Sequence, residues 1–189
     1  MRIITGKAKG LKLKTPAGNS TRPTSDRVKE SLFSVLTGII NFYEVGKVLD
    51  IFAGTGALGL ESLSRGAKSA IFIDKATTNL ISENVRRAKF EDCCKILHGD
   101  FEKFIKKLSA ENLQFDLIFS DPPYNKGLSQ KTLELVGEFN LMSSEGILII
   151  EHGAEENLLS PEIFRQKRKL IYGNTTAIEI FEFAKGAKS

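Results

Sequence analysis

Between residues 47 and 151 the chain alternates short apolar runs with amphipathic stretches, and this alternation leaves few architectures open. Residues 47–52 read as a strand and about 56–65 as a helix. Residues 69–73 follow as a strand, and about 78–89 as a helix with Leu80, Ile81, Val85 and Ala88 on its inner side. Residues 94–97 predict a short strand, 101–108 a helix, 115–120 a strand, 130–138 a helix and 146–151 another strand. Strands separated by helices form a parallel sheet, and right-handed crossovers put the helices on both of its faces. Residues 167–172 and 176–183, around Gly173-Asn174, predict a terminal antiparallel hairpin. Upstream, Thr24 or Ser25 is placed to cap a helix in which Val28, Leu32, Val35 and Leu36 recur at helical spacing. The expectation is an α/β fold in one domain over residues 24–189, behind a short basic N-terminal appendage over residues 1–23. A chain of 189 residues suits one hydrophobic core better than two.

Charge and cysteine usage narrow the function classes. Residues 1–30 hold eight basic residues against two acidic ones, a net +6, while the other 159 residues sum to −2. A basic arm on a near-neutral body suits a polyanionic partner, because each phosphate contact releases counterions. The only cysteines, the neighbours Cys93 and Cys94, staple no distant segments and are too few for a structural zinc site, so reduced, buried thiols and no metal are expected. No apolar run approaches the ~20 residues that span a bilayer, and the N-terminal stretch lacks the apolar core of a secretory signal. The chain is expected to stay in the cytoplasm, away from membranes.

In open parallel sheets the chemistry sits at the carboxyl ends of the strands. The first strand runs into Asp50-Ile51-Phe52-Ala53-Gly54-Thr55-Gly56-Ala57-Leu58-Gly59. Gly54, Gly56 and Gly59 match the G-x-G-x-x-G of dinucleotide sites, and such glycines let the backbone approach a ligand closely. Asp50, just before them, would repel a pyrophosphate and favours a ligand carrying an ammonium. The second strand ends in Asp74, followed by Lys75, where a carboxylate can accept from both ribose hydroxyls of an adenosine. After the third, Asp100 is placed for an adenine amino group and Phe101 for packing on the base. One such acid alone is most simply a helix cap; three in order at successive strand ends point to a cationic, adenosine-containing cofactor.

Directly after the fourth strand stands Asp121-Pro122-Pro123-Tyr124. The prolines stiffen the backbone and remove two N–H donors, leaving carbonyls and the Asp121 carboxylate as an acceptor-only cluster. Such a cluster suits an NH₂ group. Hydrogen bonds from both amine protons, to Asp121 and a carbonyl such as that of Pro122, turn a conjugated nitrogen towards tetrahedral geometry and aim its lone pair. Asp121 either orients the amine alone or also takes its proton, and Tyr124 is placed to stack on an exposed base.

With these motifs the chain resembles the amino-methyltransferases, whose signature is [DNS]-P-P-[YFW]. Residues 2–13 and 21–33, reading RIITGKAKGLKL and TRPTSDRVKESLF, are similar to the 16S ribosomal RNA (guanine(966)-N(2))-methyltransferase family, the small-subunit methyltransferase D type. The similarity runs from Arg2 to about Phe183. It implies a Rossmann-like class I methyltransferase with a seven-stranded sheet, and S-adenosyl-L-methionine held by Asp50, Phe52, Ala53, Gly54, Thr55, Gly56, Asp74, Lys75, Asp100 and Phe101. Catalysis then falls on Asp121, Pro122, Pro123 and Tyr124. The partner implied is small-subunit ribosomal RNA or its assembly intermediate, held by Lys7, Lys9, Lys12, Arg22 and Arg27. The residues themselves suit adenine N6 as well as guanine N2. A nicotinamide dehydrogenase would share the glycines but has no use for Asp50 or for Asp121–Tyr124, and a non-catalytic RNA-binding module needs no cofactor loop.

Overall fold

The computed structural model describes residues 1–16, 26–184 and Gly186. Its apolar runs form one seven-stranded sheet: β1 Lys47–Ile51, β2 Ser69–Asp74, β3 Cys94–His98, β4 Phe115–Ser120, β5 Met142–Gly153, β6 Phe164–Tyr172 and β7 Thr176–Phe183. The order is β3-β2-β1-β4-β5-β7-β6, with the first five strands parallel and β7 antiparallel to both neighbours.

Successive side chains along a buried strand serve opposite faces. In β1, Val48 joins a core formed with α1 Asp26–Thr37, α2 Ala57–Arg65 and α3 Thr78–Ala88. Its neighbour Leu49 joins the opposite core, formed with α4 Phe101–Ala110 and α5 Leu128–Glu138. The predicted elements are present with small shifts. On α1 the buried stripe is Lys29, Leu32, Phe33 and Leu36, whereas Val28 and Val35 are half-buried. β5 starts at Met142 rather than near Gly146, because an irregularity in its pairing with β4 carries the ladder back to Phe115. The two thiols are unbridged and half-buried, not fully buried. Among the described residues no helix is long and apolar enough to cross a membrane.

The N-terminal residues are docked on the domain. Residues 1–13 fold back on themselves through the Arg2–Lys12 bridge and bury Ile3 and Leu13 in the α1–α2–α3 core. At the bend, Lys7 N and Ala8 N donate to the carbonyl and hydroxyl of Ser64. Gly6, at φ +89°, lies so near that a Cβ there would sit 1.7 Å from the Ser64 carbonyl oxygen. Beyond the bend, fully buried Asn84 accepts from Lys14 N at 2.8 Å and donates to Lys14 O and Thr55 O, both at 3.0 Å.

A buried ion network locks this arrangement. Glu61 of α2 accepts from Ile4 N (2.7 Å), Thr5 N (3.1 Å) and Arg65 Nε (2.9 Å), and lies 3.3 Å from Lys29 Nζ. Lys29 donates to Arg2 O at 2.5 Å. Burial holds the Lys29 ammonium below the usual lysine range, against the opposing pull of Glu61. Breaking a buried pair strands the other charge, so Glu61→Ala should cost about 3–5 kcal/mol in urea unfolding. Replacing both partners, as in Lys29→Met with Glu61→Leu, should recover only the part of that loss due to the stranded charge, since Ile4 N, Thr5 N and Arg2 O still lose their partners; a double variant as unstable as the single one would contradict this account.

Candidate active site

From β1 the sheet grows one way to β2 and β3 and the other way to β4 and β5. The crevice beyond β1 and β4 is therefore the topological switch point, where open α/β sheets bind their ligands. Hydrogen bonds carry the ladder on into the loops: Asp121 N donates to Ile51 O (3.4 Å), Ala53 N to Ile73 O (3.1 Å) and Gly99 N to Asp74 O (3.0 Å). The acids at the ends of these strands are thereby arranged along one rim.

The loop after β1 turns on left-handed backbone at Phe52 (φ 59°), Gly54 (φ 56°) and Gly56 (φ 75°). For a phenylalanine this conformation is strained, and such strain gathers at ligand sites. Asp50 lies beneath the loop, 2% exposed, and accepts from Gly59 N at 2.9 Å in the first turn of α2. Gly59 has no room for a side chain, since a Cβ would lie 2.4 Å from the Phe72 ring. Burial pushes the Asp50 carboxyl up to about 8, against the lowering effect of the Gly59 hydrogen bond.

Asp74 is half-buried and binds the loops on either side of it. Its Oδ2 accepts from Gly54 N (2.9 Å), and its Oδ1 from Ala76 N (2.7 Å) and Thr77 N (2.8 Å). Lys75 beside it is exposed. Asp100 caps α4, taking Glu102 N (3.1 Å) and Lys103 N (3.4 Å) on one oxygen. Next to it the Phe101 ring packs on Phe52 at 4.7 Å. Ala53 is buried, and the Thr55 carbonyl is the one held by Asn84.

At the end of β4, Pro122 is buried, Pro123 exposed, and Asp121 and Tyr124 half-buried. The Tyr124 hydroxyl donates to Glu151 Oε1 at 2.6 Å and lies 3.3 Å from Thr176 Oγ1. Burial, reinforced by Glu151, holds the phenol well above its usual range, so it stays a donor. The next residue is clamped too: Glu156 Oε1 accepts from Asn125 N (2.9 Å) and Gly153 N (3.1 Å). Glu151, Glu156 and Thr176 are the residues sequence reasoning missed. Glu151 was detectable as a carboxylate ending the otherwise apolar run Ile147-Leu148-Ile149-Ile150. His152, one position on, serves the opposite face, where it is fully buried 3.2 Å from Glu179.

The basic residues expected to hold a polyanion are dispersed. Lys7 and Lys9 lie at the arm's bend beside the C-terminal end of α2, away from the acids, and Lys12 is exposed opposite Arg2. Arg27 is exposed on the first turn of α1. Arg22, with the caps at Thr24 and Ser25 and the appendage boundary at residue 23, lies outside the described residues.

Comparison with known proteins gives concordant matches. Residues 1–181 match the family described as Conserved hypothetical protein 95. Ribosomal RNA small subunit methyltransferase D of Haemophilus influenzae is 34% identical over 86% of this chain and 83% of its own length. The Escherichia coli K12 protein of the same name is 34% identical over 84% and 77%. The solved structure of a hypothetical protein from Thermus thermophilus superposes with a TM-score of 0.82 at 30% identity, over 96% of this chain and 99% of that one.

The buried Asp50 sets a pH dependence. A carboxyl raised from 3.8 to about 8 on folding adds stability that is present below pH 4 and is lost as pH rises towards 8. In urea unfolding of the ligand-free protein, Asp50→Asn should flatten this decline, by at most about 1.4 kcal/mol per pH unit. Parallel curves for wild type and variant would show that Asp50 does not bind a proton on folding.

Proposed function

Because the chain belongs to the Conserved hypothetical protein 95 family and is a relative of ribosomal RNA small subunit methyltransferase D, we propose that it methylates the exocyclic N2 amino group of a guanine in 16S ribosomal RNA, with S-adenosylmethionine as methyl donor. The observation that carries this reading is the acceptor cluster Asp121–Tyr124 at the switch point, beside a glycine loop rimmed by acids. The bound donor supplies an electrophilic methyl group on a sulfonium.

The residues present fit such a group. Asp74 and Asp100 each retain acceptor capacity at the rim for ribose hydroxyls and an adenine amine, with Lys75 alongside. Phe52 and Phe101 offer an apolar surface to the base. Ala53, Gly54, Thr55 and Gly56 let the backbone come close, and Asp50 beneath them favours a cationic methionine end. Asp121 and the Pro122 carbonyl accept from the two amine protons, which aims the nitrogen lone pair, and Asp121 is placed to take the proton the nitrogen sheds. Tyr124, its ring fixed by Glu151, stacks on the target base. The basic segment 1–23, with Lys7, Lys9, Lys12 and Arg22, and Arg27 beyond it, holds the RNA around a domain spanning residues 24–189, in the cytoplasm.

The test is transfer of labelled methyl to small-subunit RNA, naked and in partly assembled particles, with the product nucleoside identified by mass spectrometry. N2-methylguanosine at one position is expected; N6-methyladenosine would keep the chemistry and overturn the base. Asp121→Ala should lower kcat by about 10²–10⁴-fold while S-adenosylhomocysteine affinity stays near wild type. Wild-type turnover would remove Asp121 from the mechanism. Tyr124→Phe and Glu151→Ala should each reduce kcat/KM, and the double variant should be little worse than either alone. Effects that multiply instead would show that Glu151 does not act through Tyr124.

A further inference from the structure

Net positive charge gathers in two stretches far apart in sequence, and within the second of them the outer strand β6 lies against α1. Residues 1–30 carry a net +6, and residues 164–189 hold six basic residues against two acidic ones, a net +4. The 133 residues between them hold thirteen basic and nineteen acidic residues, a net −6. The net excess of positive charge therefore comes from these two stretches alone.

The C-terminal share is concentrated on β6, the outermost strand of the sheet, where residues 165–169 read Arg-Gln-Lys-Arg-Lys and are all exposed. Arg165 and Lys167 pair with Glu182, and Lys169 pairs with Glu179 at 2.8 Å. Arg168 makes no ion pair among the described residues. It stands in register with Ile180, so it projects from the face that carries α1. There it lines a groove of about 340 Å³ with Ser34, Val35, Gly38 and Leu170. Further along the same strand the Tyr172 hydroxyl donates to Ser31 Oγ of α1 at 2.9 Å. Tyr172 is also the register partner of Thr176, whose hydroxyl lies 3.3 Å from that of Tyr124. At about 3.3 Å per residue, Arg168 lies roughly 13 Å along the strand from Tyr172. Arg27, on the first turn of α1, stands at the Tyr172 end of this flank.

Charged residues on an outer strand, lysines above all, also deter edge-to-edge pairing of sheets, but that role does not call for an Arg168 without an ion pair among the described residues beside the α1 groove. Cations accumulated on an acidic body call for a polyanion, and an unpaired guanidinium suits phosphate oxygens. We propose that the flank formed by β6 and α1, centred on Arg168, is a second track for the phosphate backbone of the RNA, leading along β6 to the hairpin turn beside Tyr124. This rests on the RNA-methylation reading above.

The experiment compares wild type, Arg168→Ala, Arg168→Glu and the control Lys107→Glu in RNA filter binding over a salt series and in methyl transfer to small-subunit RNA. Lys107 is exposed on α4, on the other face of the sheet. Arg168→Glu should raise the KM for RNA by about tenfold and Arg168→Ala by less, with kcat and S-adenosylhomocysteine affinity unchanged. In Arg168→Ala the slope of log Kd against log salt should fall by about 0.7–0.9, the value for one lost phosphate contact. Unchanged RNA binding in both Arg168 variants would overturn the track, as would an equal loss in Lys107→Glu, which would reduce the effect to net charge. A wild type that neither binds nor methylates RNA would overturn the RNA reading, and this surface with it.

Discussion

The arrangement of the site depends on the parallel register of β1 with its two neighbours. Asp50 stands opposite Phe72 on one side and Phe119 on the other, so the loops that leave β2, β1 and β4 start at one level. The loops after β1 and β4, and that after β3, each then give an N–H to the carbonyl of the adjacent strand. A slip of one residue in this register would send every side chain of β1 to the wrong face and would separate Asp121 from the glycine loop. Backbone hydrogen bonds thus define the distances between side chains that come from four different strands.

Much of this was legible in the sequence because it repeats with a fixed period. The alternation of strand and helix, the terminal hairpin and the acids at successive strand ends all follow from local pattern, and Asp121–Tyr124 declares itself through its two prolines. What local pattern does not carry is the identity of partners. The hydroxyl of Tyr124 finds Glu151 across 27 residues, and Thr176 across 52. Lys29 looks like an ordinary solvent-facing lysine until Glu61 and the Arg2 carbonyl are brought to it by tertiary packing. The N-terminal segment reads as a basic strip, and its lysines draw attention from Ile3 and Leu13, the apolar residues that dock it.

Carboxylates serve two purposes in this fold. Glu61 and Asp50 sit in the interior and hold backbone, one the first residues of the chain and the other the first turn of α2. Asp74 and Asp100 do similar work at the rim, where a helix cap and a ligand acceptor need the same chemistry: an oxygen aimed outward from the end of a parallel strand. A capping residue at such a position needs little change to become a binding residue, because its backbone hydrogen bonds already hold it in place.

The anchoring of Tyr124 by Thr176 bears on the order in which the protein is made. Synthesis runs from the N-terminus, so β1 to β4 with their loops have all been made before the strand that carries Thr176 exists. A nascent chain that has reached Gly153 already contains the glycine loop, the rim acids and the prolines, yet its tyrosine lacks a second hydroxyl to hold it and its sheet ends in an open edge at β5. The terminal hairpin closes that edge and gives the tyrosine hydroxyl its second partner in one step, so the Tyr124 ring is fully anchored only after β7 has been made.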